Sequence, residues 1–259
     1  MILGFDVGNT HIVAATFDDS GNIIDEFRIP TNLSITEDIL YIFYQTMIKD
    51  KKIDIHKIEK IIVSSVVPHL NEIFIYFGKK YFDIIPAFVS LDSVRDEITI
   101  TPGPGKERSL GSDRVVDIIQ AMALYPDKEL IILDFGTAIT FDVMKGSEYL
   151  GGCILPGVDL SIDSLFRGTA KLPKIRFERP NSALGNNTIS QITAGIYYSY
   201  VGGIEKIIDE YKSVLDDPFV ISTGGNGSVI SKATKNIDIY ISKLNLLGLY
   251  TFSKKFVKI

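Results

Sequence analysis

Two stretches put an aspartate and a glycine where an apolar strand should run on: Asp6-Val7-Gly8-Asn9-Thr10 within "ILGFDVGNTHIVAATF", and Asp134-Phe135-Gly136-Thr137 within "IILDFGTAITFDV". A glycine at the end of a strand permits a tight hairpin or a positive φ, and it lets the backbone come close to a ligand. Backbone N–H groups of such a turn can face an anion. Asn9, Thr10, Thr137 and Thr140 add neutral donors suited to phosphate oxygens, and Asp6 or Asp134 can hold a cation that offsets the charge. Asp and Gly are also ordinary hairpin residues, so either copy alone reads as well as a plain turn. The second copy begins 128 positions after the first in a chain of 259 residues, which indicates two similar halves. With "STGG" at Ser222 to Gly225 added, the balance moves towards phosphate chemistry.

A third candidate is Gly111-Ser112-Asp113-Arg114. Asp113 can accept a proton from a hydroxyl or orient it. It can equally cap the helix "DRVVDIIQAMALY" and suit the positive end of its dipole. Lys106, Arg108 and Arg114 place three cations around a Gly/Pro loop in a chain of net charge −5. Surface charge on a solvated loop is one reading; a site for a carboxylate-bearing substrate, gripped in bidentate fashion by Arg, is the other.

The elements that must carry these residues follow from periodicity. "MILGFD", "IVAATF" and "IIDEFRI" read as a meander of strands, then "SITEDILYIFYQTMIKDKK" as a helix. "KIIVSSVV" is a strand, "HLNEIFIYFGKKY" a helix, "PAFVSL" a strand, and the Asp113 segment a helix with one apolar stripe. The second half repeats the order with "LIILD", "ITFDVM", "EYLGGCIL", the long helix from Thr188, "PFVIST", "NGSVISKAT", "IDIYI" and "KLNLLGLYTFSKKF". Each half reads β-β-β-α-β-α-β-α, with domains expected over 1–125 and 126–259.

Composition narrows the function. A chain 46% hydrophobic and 23% charged can bury a large core. Net charge −5 without a large basic block argues against nucleic acid as the main partner. No apolar run reaches the ~20 residues that span a bilayer, and Met1 leads straight into the first strand, so a cytoplasmic protein is expected. The single cysteine, Cys153, permits neither an internal disulfide nor a thiolate metal cluster and reads as a small buried hydrophobe. His11, His56 and His69 lack metal-ligand spacing. Tyr197, Tyr198 and Tyr200 read as core or subunit contact rather than a ligand platform.

The two acidic turns and the late Gly-Gly resemble the phosphate-1, phosphate-2 and adenosine elements of the superfamily of acetate and sugar kinases, actin and the heat-shock chaperones. More closely, "DVGNT", "SSVVP", "GSDR", "DFGTAIT", "GGCILPG", "AKLP" and "GNNT", in order along nearly the whole chain, resemble type III pantothenate kinase. The resemblance implies two ribonuclease H-like domains with a nucleotide cleft between them, and ATP-dependent phosphorylation of pantothenate to 4′-phosphopantothenate, the first step to coenzyme A. By resemblance Asp6 would hold Mg²⁺, with Gly8, Asn9 and Thr10 on phosphate; Gly136, Thr137 and Thr140 would take further phosphate oxygens, and Gly224 and Gly225 the nucleoside. Asp134 and Thr188 would sit near a monovalent cation, K⁺ or NH₄⁺. Gly111, Ser112, Asp113, Arg114 and Thr188 would form the acceptor side, with Asp113 as catalytic base. A homodimer is implied, with the substrate site near its interface.

The chain departs from the family in "TPGPGKERSLGSDR", which lacks the usual tyrosine and Asn-Pro, in Asp117 for asparagine and in Ile139 for threonine. Two alternatives to pantothenate phosphorylation therefore stand beside it: a superfamily kinase or phosphatase for another small acceptor, and a non-catalytic nucleotide-binding regulator.

Overall fold

The computed structural model describes residues 1–49, 53–100 and 110–257. The chain packs as two compact units. Of the described residues, one takes 1–49, 53–98, 110–123 and 244–257; the other takes 99–100 and 124–243. The last helix therefore packs with the first unit, whereas the sequence pattern alone assigned it to the second half.

In the first unit β1 (Ile2–Val7), β2 (His11–Phe17) and β3 (Ile23–Pro30) form an antiparallel meander. β4 (Lys60–Ser65) and β5 (Ala87–Phe88) then add in parallel on the other side of β1, giving the order β3-β2-β1-β4-β5. Alternation along β1 sends Leu3, Phe5 and Val7 into the cluster under α1 (Glu37–Ile48) and α2 (Asn71–Phe82). There Phe5 meets Phe74 and Phe77 edge to face at 5.0 and 5.4 Å. The same alternation puts Gly4 and Asp6 on the opposite face. That face receives α7 (Leu244–Lys255), because Gly4 leaves room for Leu249, whose side chain would lie 3.1 Å from any Cβ at position 4.

α7 is fixed from several directions. Gly248 packs directly on the Val116 backbone of α3 (Ser112–Leu124), Thr251 donates to Gln120 Oε1 at 2.6 Å, and the Lys60 ammonium donates to the carbonyls of Ser253 (3.0 Å) and Val257 (2.5 Å) near the helix end. These contacts, long-range in sequence, draw the final helix into the first unit.

The second unit repeats the sheet. β7 (Leu130–Phe135), β8 (Ala138–Lys145) and β9 (Glu148–Pro156) are antiparallel; β10 (Phe219–Gly224) and β11 (Ile239–Tyr240), joined through the short helix α6 (Gly227–Ser231), follow in parallel. Its order, β11-β10-β7-β8-β9-β6, is the first sheet's order with β6 (Thr99–Ile100) added at the edge. Both units are thus ribonuclease H-like α/β folds. Ile131, Leu133 and Phe135 enter the core with residues of α5 (Thr188–Lys212), so Asp134, one step out of phase, faces away from it as Asp6 does in the first unit.

Three elements differ from the expected pattern. β5 and β11 span two residues each, shorter than "PAFVSL" and "IDIYI", as edge strands paired on one side only. α4 (Val158–Arg167) was not foreseen, because the glycines and proline before it read as loop; Val158 and Ile162, one turn apart, bury its inner face. Cys153 is half-exposed rather than buried.

Candidate active site

Each acidic turn is built from its own hydrogen bonds. The Gly8 N–H donates to the His11 carbonyl at 3.0 Å, and the Gly136 N–H donates to the Ala138 carbonyl at 3.0 Å. Those two N–H groups therefore serve the hairpins and do not face an anion, contrary to the simplest sequence reading. The exposed groups at the strand ends are Asn9 and Thr10 in one unit and Gly136 and Thr137 in the other.

The same brace holds both turns. Pro30 ends β3, and the next N–H, of Thr31, donates to the Thr10 carbonyl at 2.9 Å. Pro156 ends β9, and the next N–H, of Gly157, donates to the Thr137 carbonyl at 2.9 Å. Thr31 Oγ1 further donates to the Gly8 carbonyl at 2.6 Å. Tyr200 of α5 donates its hydroxyl to the Pro156 carbonyl at 2.9 Å, anchoring the second brace to the long helix.

Asp6 is the most heavily engaged of the predicted residues. It stands opposite Ser64 in the β1/β4 ladder, accepts a hydrogen bond from Asn245 Nδ2 at 2.8 Å and is hydrogen-bonded by Ser64. Ser64 in turn bonds Ser112 Oγ at 3.1 Å, at the first residue of α3. Burial, and then the negative charge of Asp113, push Asp6 up to about 6; the bonds from Asn245 and Ser64 and the charge of Arg28 oppose that rise. A polar chain thus runs from α7 through Asp6 and Ser64 to the start of α3.

At the start of α3 the Val115 N–H reaches the Gly111 carbonyl at 3.0 Å, so Gly111 holds the cap position and Asp113 lies inside the first turn. Of the two readings the sequence offered for Asp113, the cap reading does not hold. Its Oδ1 accepts from its neighbour's N–H, of Arg114, at 2.8 Å and folds back over Gly111, where a Cβ would collide with it. Ser112 is buried, and Asp113 and Arg114 are half-buried. Lys106 and Arg108 lie outside the described residues.

In the second unit Asp134 opposes Thr140 on β8 and Thr223 on β10. Gly224 adopts φ +83°, and a Cβ there would come within 2.6 Å of both Asp134 Oδ1 and the Phe135 carbonyl. Only glycine fits. Tyr240 of β11 donates to the Gly224 carbonyl at 2.9 Å, and the Gly225 N–H donates to the Phe135 carbonyl at 3.1 Å, while open space surrounds Gly225. Asp134 and the Gly-Gly turn are therefore together. Thr188 begins α5, exposed, next to the capping box of Asn187 and Ser190. His11, His56 and His69 are exposed, and among the described residues no group of three His, Cys, Asp or Glu is placed to hold a metal.

Sequence reasoning missed Asn245 and Tyr240 and gave Ser64 no role. Ser64 was within reach, since "SSVVP" ends β4 beside β1.

Each unit has a ribonuclease H-like fold with an acidic turn closing its first strand, and this duplicated architecture recurs in solved proteins of low sequence identity. The solved activator of the 2-hydroxyisocaproyl-CoA dehydratase from Clostridium difficile shares that fold, with TM-score 0.57 and 15% identity over 100% of this chain and 98% of that one. The chain belongs to the type III pantothenate kinase family, whose model matches residues 2–210. It is 43% identical over 256 residues to the type III pantothenate kinase of Fusobacterium nucleatum, covering 98% of this chain and 99% of that protein. It is 39% identical over 254 residues to that of Thermosipho africanus, covering 97% and 98%. The chain is accordingly a kinase.

Proposed function

We propose that this chain transfers the γ-phosphoryl group of ATP to the primary hydroxyl of pantothenate, giving 4′-phosphopantothenate, the first step of coenzyme A biosynthesis. Beyond family membership, the observation that supports this reading is the polar chain Asn245–Asp6–Ser64–Ser112, which brings a half-buried carboxylate into the field of Asp113. Phosphoryl transfer asks a protein mainly to position two reactants and neutralise charge.

Asp113 accepts the proton of the pantothenate hydroxyl, or orients it for attack, and Gly111 leaves room for that carboxylate to fold back. Arg114 meets the substrate's carboxylate. Asn9 and Thr10 hold phosphate oxygens in the first unit; Thr137 and Thr140 do so in the second, where Gly136 shapes the turn instead of donating to the phosphate. Gly224 and Gly225 take the nucleoside, where Gly225 has open space.

Asp6 fits a magnesium ion. A hard oxygen donor, desolvated and pushed up by a second carboxylate, is a group that a divalent cation relieves. Mg²⁺ would supply charge neutralisation at the phosphates. Asp134, with Thr140 and Thr223 as its ladder neighbours, offers oxygen donors of the kind K⁺ or NH₄⁺ accepts, and Thr188 is assigned to the same ion.

A homodimer belongs to this reading. Exposed Ile154 of β9, Leu160 of α4 and Ile189 and Tyr198 of α5 give the second unit apolar surface, and Gly195, Gly202 and Gly203 leave open space along α5. Light scattering showing only monomer would remove that part. The reading also places the enzyme in the cytoplasm, where ATP is available, without nucleic-acid or membrane partners; no helix among the described residues is long and apolar enough to cross a membrane.

The test is incubation of purified protein with pantothenate, ATP, Mg²⁺ and K⁺, read by product mass. Wild type yields 4′-phosphopantothenate. Asp113→Asn lowers kcat by about 10²–10⁴-fold, the range of a general base, with nucleotide affinity kept. Full turnover by that variant would contradict the role of Asp113, and absence of product from wild type would contradict the acceptor.

A further inference from the structure

We infer that Asn245 is a positioning residue for Asp6, holding the carboxylate in the orientation that receives the magnesium–nucleotide complex. The inference rests on the reading of Asp6 given above.

The geometry allows Asn245 little choice. Its Oδ1 accepts the Leu246 N–H at 2.8 Å, so the amide cannot flip without losing that bond. Its Nδ2 then points at Asp6 Oδ2, 2.8 Å away. The helix that carries it cannot drift either. Gly248 rests on the Val116 backbone of α3, Thr251 is bonded to Gln120 of α3, and Lys60 holds the carbonyls of Ser253 and Val257. A side chain locked on an element that is itself locked is what preorganisation of a functional group requires.

The chemistry of residue 245 also matters. Asp113 sits at the start of α3 and its charge acts on Asp6, so an unheld Asp6 carboxylate would turn away from it. A neutral donor holds Asp6 in place without adding charge that would compete with the metal. A lysine there would bind the carboxylate as an ion pair and occupy it; a threonine or serine is too short to span the same gap from the same backbone. Asn245 takes up Oδ2 alone and adds no charge to the site. It touches neither nucleotide nor acceptor in this scheme, and acts only through Asp6.

A structural role for Asn245 makes a different prediction, since its bond to Leu246 would then be what counts. Asn245→Leu removes both bonds at similar volume. Asn245→Gln keeps an amide donor with a longer reach. Affinity for MgADP is measured by calorimetry, and KM for MgATP, KM for pantothenate and kcat by steady-state kinetics, with thermal unfolding alongside. The expected result for Asn245→Leu is a loss of about tenfold or more in MgADP affinity and a matching rise in KM for MgATP, with KM for pantothenate unchanged; this is the size of effect seen when an outer partner of a metal ligand is removed. Asn245→Gln recovers most of that loss. If Asn245→Leu only lowers the melting temperature, or if both variants bind MgADP as wild type does, the inference is overturned. Asp6→Asn separates the two levels. If it binds MgADP normally, the reading of Asp6 itself fails; if it loses binding while Asn245→Leu does not, only the positioning role fails.

Discussion

The two acidic turns share a sequence signature, a hairpin and a proline-terminated brace, yet a different feature stands out beside each aspartate. Asp6 sits among side chains: Asn245 donates to it, Ser64 is hydrogen-bonded with it and Asp113 repels it. Around Asp134 the close neighbour is backbone, because Gly224 at φ +83° brings its chain to where any Cβ would collide with the carboxylate. The same fold, used twice, sets the first aspartate in the field of Asp113 and the second against a close-packed glycine. Asp6 should therefore respond to pH and metal, and the Gly224 turn to the addition of a methyl group.

The largest expected effect on stability lies in the second turn. Gly224→Ala forces a methyl group against Asp134 Oδ1 and the Phe135 carbonyl at 2.6 Å in a left-handed backbone, and should cost about 2–4 kcal/mol. Gly8→Ala, where the nearest atom is the His11 carbonyl at 3.3 Å, should cost well under that. Denaturant unfolding of both variants checks the contrast, and equal losses would break it.

Next comes Asp6→Asn. Folded Asp6 binds its proton near 6 against an ordinary 3.8, so the folded state gains relative stability as pH falls from about 6 towards 4 and loses it as pH rises through the same window. Removing the charge should therefore stabilise the metal-free protein at pH 7 by about 2–3 kcal/mol, at roughly 1.4 kcal/mol per unit, and by almost nothing below pH 4. Unfolding free energies at pH 7 and pH 4 decide this; a variant less stable than wild type at pH 7 would show that Asp6 is not under charge strain.

The smallest effect is Tyr240→Phe, which removes the 2.9 Å bond to the Gly224 carbonyl and should cost about 1 kcal/mol with a modest loss of nucleotide affinity. An unchanged affinity would show that the Gly-Gly turn holds its shape without β11.

How much of this was legible beforehand follows from the range of each signal. The turns were readable because aspartate, glycine and threonine within five residues specify a local geometry, and the repeat of three strands and alternating helices gave both sheets. The bracing residues were not. Asn245 lies 239 positions from Asp6, and the packing and hydrogen bonds of α7 against α3, β1 and Lys60 bring it there. The same packing moved α7 into the first unit, since hydrophobic period defines a helix but not the sheet it covers. α4 escaped because "GGCILPG" carries breakers that in the folded chain serve the turn: Gly157 lies directly on the Gly136 and Thr137 carbonyls, where no side chain fits. Gly8 and Gly136 were read correctly as turn formers, but their N–H groups close the hairpins.

The division of labour between the turns is tested most directly by following 4′-phosphopantothenate formation in Asp6→Asn and Asp134→Asn while Mg²⁺ and K⁺ are varied independently. The account predicts that the Asp6 variant loses its response to Mg²⁺ and keeps that to K⁺, with the reverse for the Asp134 variant. If both variants are impaired towards the same cation, the two turns do not divide the work as described.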